Sequence, residues 1–258
     1  MLNIGRKKES LEGIKQVDRM CLGINIDHVA TIRNARGGEH PNPLKIAKIA
    51  EKNNVDNITA HLREDRRHIK DKDIRNLLNE LKIPLNFEMA DTEEMVNFAI
   101  ENLPYACCIV PEKREEITTE GGLNLIGNKL ISKSILKLKK VGIYCSLFLD
   151  PDIKQIKLAS ELGVNAIEIH TGKYCDANNN KIQDELEKIK IAAKYAKSIG
   201  LEVHAGHGLN FTNVIEISKI KEITELNTGH FIIGEAISLG IEGAIQKMRS
   251  IIDKSREE

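Results

Sequence analysis

The chain has 258 residues, 41% of them hydrophobic and 29% charged, a composition ordinary for a globular protein that buries a full core. Its 38 basic residues balance 38 acidic ones, which excludes an overall field that recruits nucleic acid or an anionic membrane. Trp is absent and aromatics make up 3%, which excludes base-stacking platforms for single-stranded nucleic acid.

Residues 1–20 form a basic tip followed by a marginal amphipathic stretch (Ser10–Val17) without an apolar signal core, and are expected to be an appended arm. From residue 21 to 258 short apolar runs recur. They lie at Leu22–Ile26, Asn57–His61, Pro84–Met89, Ala106–Val110, Gly142–Leu149, Ala166–His170, Leu201–His204 and Ile223–Asn227. Helical periodicity fills segments between them, as in Asn42–Asn53, Thr92–Asn102, Ile153–Leu162 and Asp184–Ser198. Strands alternating with helices specify a parallel sheet with crossover connections. Eight such units fit a (β/α)8 barrel, whose usual length is about 250 residues. A doubly wound sheet calls for a GxGxxG turn after its first strand, and GINIDHVAT is not one. Asn178-Asn179-Asn180 reads as a loop tip, and no linker composition divides the remainder.

Strands of a parallel sheet are usually apolar throughout, because both faces are covered. Here polar residues stand two apart: Asn25 and Asp27, Thr59 and His61, Asn86 and Glu88, Glu168 and His170, Glu202 and His204. Residues two apart share a face. A fold does not gather lone charges for stability, so the pairs are expected to converge at the C-terminal mouth, where barrel active sites lie. All eight histidines (His28, His40, His61, His68, His170, His204, His207 and His230) fall at predicted strand ends or in the following loops, and none in a predicted helix. That placement suits acid–base chemistry near neutral pH.

The glycine turns Ala205–Gly208 and Asn227–His230 follow the seventh and eighth runs, where barrels present backbone N–H groups to phosphate. Arg33, Arg36, Arg63, Arg66 and Arg67 offer a second anion site, with surface ion pairing the competing role for Arg66 and Arg67. No metal and no cofactor is expected. Asp27-His28 is not an HxH, and His204 and His207 lack an obvious third ligand. A Schiff-base mechanism calls for a lysine on a strand, and the nearest candidates are Lys113 and Lys173. A phosphate sensor without turnover gives no reason for Glu88, Glu168 and His61 to converge. Five cysteines (Cys21, Cys107, Cys108, Cys145, Cys175) show neither CxxC nor zinc spacing, which points to core packing in a reducing cytoplasm.

The same residues carry a resemblance. The runs Gly23–Gly38 (GINIDHVATIRNARGG), His61–Ile69 (HLREDRRHI), Asn86–Ala90 (NFEMA) and Val110–Leu123 (VPEKREEITTEGGL) resemble the pyridoxine 5′-phosphate synthase family. So do Ser146–Asp152 (SLFLDPD), Ile167–Tyr174 (IEIHTGKY), Ala205–Asn210 (AGHGLN) and Glu225–His230 (ELNTGH), in order and without large gaps. The resemblance implies a transferase-type, ring-closing condensation of 1-deoxy-D-xylulose 5-phosphate with 3-amino-2-oxopropyl phosphate, giving pyridoxine 5′-phosphate, phosphate and water. It implies His61 and Glu88 as proton acceptors, His207 as proton donor and Glu168 as transition-state stabiliser. Asp27, His28, Arg63, His68 and Thr118 would hold the deoxyxylulose phosphate. Asn25, Arg36, Gly208, Gly229 and His230 would hold the amino-ketone phosphate. It further implies a TIM barrel with additional helices, assembled as a homo-octamer. The chain departs from the family pattern at His204 (often Asn), Glu235 (commonly basic) and Thr228 (apolar).

Overall fold

The structure, a computed structural model, describes residues 19–112, 121–178 and 180–257. The expected arm lies almost wholly outside them. Met20 is an exception at its end: it is buried in the core, one residue ahead of the first strand.

Eight parallel strands close into a barrel in sequence order, each paired with the next and the last with the first. They are β1 (Cys21–Asn25), β2 (Asn57–His61), β3 (Leu85–Met89), β4 (Ala106–Ile109), β5 (Tyr144–Leu149), β6 (Ala166–His170), β7 (Glu202–Gly206) and β8 (Glu225–Thr228). The helices in chain order are α1 (Asp27–Arg36), α2 (Pro43–Lys52), α3 (Asp71–Glu80), α4 (Glu93–Asn102) and α5 (Lys129–Lys140). Then come α6 (Ile153–Glu161), α7 (Gly172–Cys175), α8 (Ile182–Ser198), α9 (Val214–Ser218) and α10 (His230–Glu257), the last broken at Gly240. The additional helices are α1, inserted between β1 and α2, and α7, a single turn between β6 and α8.

Local chemistry explains the helix starts. Asn42, Thr92, Asn128 and Asp152 each accept a backbone N–H of the first turn of α2, α4, α5 and α6, and Pro43 opens α2 where no N–H is needed. Lys137, Lys139 and Lys140 crowd the last turn of α5, the end that favours cations.

Strand side chains sort by parity. Leu22, Ile24, Ile58, Phe87, Met89, Leu147, Ile167, Ile169, Val203 and Leu226 belong to the main core between barrel and helices. The alternate positions face the lumen and are mostly polar. Across it, the Asn86 amide donates to the Thr59 hydroxyl (3.4 Å), which donates to Asn227 (3.5 Å). Cys108, Val110 and Phe148 form a separate small apolar cluster. A lumen of amides and carboxylates is expensive to bury and adds little stability. Function is the better account of it.

Candidate active site

The end of β1 turns directly into α1, and the turn is built by hydrogen bonds two residues apart. Asn25 Oδ1 accepts the backbone N–H of Asp27 (2.8 Å), while Asn25 Nδ2 donates to Asp27 Oδ2 (2.9 Å) and to Glu88 Oε2 (3.4 Å). Asp27 Oδ1 accepts the backbone N–H of His61 (2.8 Å). Three strand ends are thereby tied together. Glu88 is partly buried, and burial, then the charges of Glu168 and Asp27, push its carboxyl well above the usual range.

His61 ends β2 and is buried. Its Nε2 faces Glu112 Oε2 at 3.3 Å. Glu112 Oε1 accepts the backbone N–H of Glu64 (2.9 Å) and lies 3.5 Å from the buried guanidinium of Arg63. Burial opposes ionisation of Glu112, but the hydrogen bond and charge from His61 prevail and leave it below the usual value. The His68 ring stands 6.0 Å from that of His61, and burial lowers its affinity for a proton.

On the far wall, Glu168 of β6 is buried and accepts from Asn227 Nδ2 (2.9 Å). Burial pushes Glu168 up to about 7, partly countered by the charge of His204. Glycine at residue 206 on β7 leaves the Glu168 carboxylate its place, since a Cβ there would stand 2.3 Å from Glu168 Oε1. His207 follows with φ +82°, a strained backbone for a side chain with a Cβ. The Thr171 hydroxyl pins it, lying 2.7 Å from Gly206 O and within reach of His207 O. Burial, then the neighbouring His170, depress the His207 imidazole to about 4. His170 is buried with its ring 4.9 Å from His207, and its Nδ1 faces Asp150 Oδ1 at 3.1 Å. That hydrogen bond, with one from Lys173, holds Asp150 well below the carboxylate range. At the rim, His28 and His230 meet edge to face at 4.6 Å, and burial, then His230, lower His28.

These groups enclose a cavity of about 510 Å³ at the C-terminal mouth. Asn25, Asp27, His28, His61, Arg63, His68, Glu88, Glu168, His207, Gly208, Gly229 and His230 all line it. Arg36 does not; it is exposed on the last turn of α1. Thr118 lies outside the described residues, as does Lys113. Lys173 pairs with Asp150 and its side chain is 60% exposed, far from the desolvated state a Schiff-base lysine requires.

Several expectations change. Glu202 and His204 are not at the mouth: Glu202 is the first residue of β7, so its pair with His204 sits toward the opposite end of the barrel. His28 lies in the first turn of α1 and His230 opens α10, so not every histidine is outside a helix. Arg33 is no anion ligand, since its guanidinium clasps both oxygens of Asp73 (2.7 and 2.8 Å). Arg66 is likewise engaged with Asp71 and Glu94; Arg67 pairs with Asp65 (2.7 Å), as its competing role anticipated, and Arg63 with Glu112 (3.5 Å), while both also line the cavity. The spacing of β4 and β5 gave no sign of Glu112, Asp150, Val110 or Phe148, because those runs carry no polar pair; the only hint was an acid just beyond each strand.

Among the described residues, Asp27, His61 and Glu88 have ligand atoms within 4.8 Å of one another, close enough to hold a cation. Both Asp27 oxygens already accept hydrogen bonds, however, so that arrangement serves equally to orient His61 and Glu88. Chemically the cavity offers carboxyls of raised proton affinity, imidazoles of lowered proton affinity, and a helix N-terminus beside the β7 and β8 turns. It can relay protons on a bound phosphate ester.

Comparisons with known proteins identify the family. The family model described as "Pyridoxal phosphate biosynthesis protein PdxJ" matches residues 22–254. Pyridoxine 5′-phosphate synthase of Zymomonas mobilis is 54% identical, over 93% of this chain and 94% of its own length. That of a Sulfurihydrogenibium species is also 54% identical, over 93% of this chain and all of its own. Among solved structures, phosphoribosyl anthranilate isomerase from Thermococcus kodakaraensis aligns with a TM-score of 0.60 at 13% identity, covering 90% of this chain and 98% of that one. At such identity the likeness concerns the barrel alone.

Proposed function

The chain belongs to the PdxJ family of pyridoxal phosphate biosynthesis proteins, and we propose that it closes the pyridine ring by acid–base relay within the mouth cavity. It is an enzyme, with the pyridoxine 5′-phosphate synthase activity of its relatives. The substrates on this reading are 1-deoxy-D-xylulose 5-phosphate and 3-amino-2-oxopropyl phosphate, and the products are pyridoxine 5′-phosphate, inorganic phosphate and water. One observation carries it: Glu88, Glu168, His61 and His207 line a single cavity together with the β7 and β8 turns.

The substrate supplies its own amine for imine formation, so no lysine is needed. Ring closure then requires repeated proton removal, loss of water and loss of phosphate. Glu88 and His61 take protons. A carboxyl whose proton affinity is raised can both accept and return a proton near neutral pH. Glu168 opposes the cationic charge that develops on the ring nitrogen. His207 protonates departing oxygens. Its low proton affinity makes the imidazolium a strong acid, and a phosphate dianion bound beside Gly208 favours the imidazolium.

Asp27, His28, Arg63 and His68 hold the deoxyxylulose phosphate, with Thr118 added from outside the described residues. Asn25, Gly208, Gly229 and His230 hold the amino-ketone phosphate, and the family resemblance adds Arg36, which is exposed at the end of α1 outside the cavity lining. Assembly as a homo-octamer rests on the family resemblance, and light scattering tests it. A reducing compartment such as the cytoplasm suits five free thiols, three of them buried. Mixing the two substrates with the protein should produce the pyridine absorbance together with stoichiometric phosphate. Absence of both with active substrates would overturn the reading.

A further inference from the structure

Below the cavity floor, the interior of the barrel gathers carboxylates around one imidazole. His204 lies on β7 opposite Glu168 of β6 and Glu225 of β8 in the strand register. It is 8% exposed. Its Nδ1 stands 3.5 Å from Glu225 Oε1 and its Nε2 3.5 Å from Glu202 Oε1. Glu225 and Glu168 are bridged by a single amide, Asn227 Nδ2, at 3.1 and 2.9 Å. Glu202 accepts the hydroxyls of Tyr144 (2.6 Å) and Thr224 (3.3 Å), and His204 first, then those hydroxyls, hold its carboxyl below the usual range.

We propose that His204 is a positioning residue, an internal counter-cation that favours the carboxylate form of Glu168 beneath the substrate against the burial that opposes it. The inference rests on the reading that Glu168 acts in the reaction as an anion. Burial by itself argues for a neutral imidazole, because desolvation penalises the charged form. Here Glu202, Glu225 and Glu168 approach from three strands, and together they outweigh it. His204 is pushed up to about 9.

The other groups facing Glu168 do not substitute for that cation. Glu88 of β3 and Glu225 of β8 are acidic and raise its proton affinity or share its repulsion. Cys108 of β4 is a buried thiol whose ionisation is suppressed, and Phe148 of β5 is apolar. The Asn227 amide stabilises the carboxylate but brings no charge. His204 is therefore the one group among these that pays the electrostatic cost of ionising Glu168. A purely structural strut would hold the strands equally well when neutral; a counter-cation must be charged.

The test is a carbon-13 titration of the Glu168 carboxyl in the full-length protein, assigned with Glu168→Gln, in wild type and in His204→Asn. Loss of a cation from the neighbouring strand position should raise the Glu168 midpoint by about one pH unit, a tenfold change in proton affinity. The part of the kcat/KM pH profile that follows ionisation of Glu168 should move up by the same amount. An unchanged midpoint in folded His204→Asn overturns the proposal. Should that variant fail to fold, the imidazole of wild type is followed directly: His204 still protonated at pH 7 supports the proposal, and a neutral ring at pH 7 overturns it. Full turnover by Glu168→Gln would instead remove the catalytic reading of Glu168 while the titration judged the coupling independently.

Discussion

Asp27 and His61 are joined by a hydrogen bond from the His61 backbone N–H to Asp27 Oδ1, 2.8 Å long, which links the start of α1 to the end of β2. The Asp27 charge also helps push Glu88 up, after burial and Glu168. Asp27→Asn keeps an oxygen for His61 but loses the Asn25 contact, at a cost of about 1 kcal/mol. With the charge gone, Glu88 ionises more easily. The acidic limb of the pH–rate profile that Glu88 governs should therefore move to lower pH, as a rate series across that limb would register.

Glu88→Gln removes the group placed to take protons while preserving size. We expect kcat to fall by about 10²- to 10⁴-fold, the usual range for a general base, with the circular dichroism spectrum unchanged. Full turnover in a folded Gln variant would remove Glu88 from the relay.

Stability should depend on pH through Glu168. Its folded value, about 7, lies above its ordinary 4.5, so the folded state binds the proton more tightly. The resulting stabilisation is present below pH 4.5 and is lost as pH rises through about 7. Denaturant melts at pH 4.5 and pH 7.5 should show this loss in wild type and a smaller one in Glu168→Gln.

Arg33 is predicted to matter for folding rather than by touching substrate. Its buried guanidinium clasps Asp73 and also donates to the His68 carbonyl (3.1 Å). Arg33→Ala leaves Asp73 without its counter-ion and with only the Lys70 backbone N–H, and a destabilisation of about 3 kcal/mol is expected from urea titration. A stable variant with only weakened substrate binding would contradict that assignment.

Gly229 abuts Asn25 so closely that an added Cβ would stand 2.9 Å from the Asn25 Cβ. Gly229→Ala must displace the residue that bridges Asp27 and Glu88. We expect a loss of about 1–3 kcal/mol from overpacking, and a raised KM for the amino-ketone phosphate. Thermal melting and steady-state kinetics read the two effects separately.

Much of this was legible along the chain. The strands Asn57–His61 and Ala166–His170 sit where the apolar runs put them, because alternation with helical segments specifies a parallel barrel. The polar pairs Thr59/His61, Asn86/Glu88 and Glu168/His170 face inward, because a strand repeats its direction every second residue. Glu202/His204 obey the same parity yet lie toward the other end, since parity reports a face and not a height. Glu112 and Asp150 carry no mark in the sequence because each follows an apolar strand, and their importance comes from partners 51 and 20 residues away.

Periodicity and residue type thus determined by themselves the strand–helix alternation, the polar lumen and the supply of acids, bases and glycine turns. Which of them meet was decided only by closure of the barrel. Closing eight strands fixes the stagger of each against the next, and stagger sets height along the axis. It brings Asp27 to His61 and Glu168 to Asn227, places His204 below the floor, and spends Arg33 on Asp73. Burial then sets the proton affinities, because the cost of a charge depends on surroundings that exist only once the strands have met.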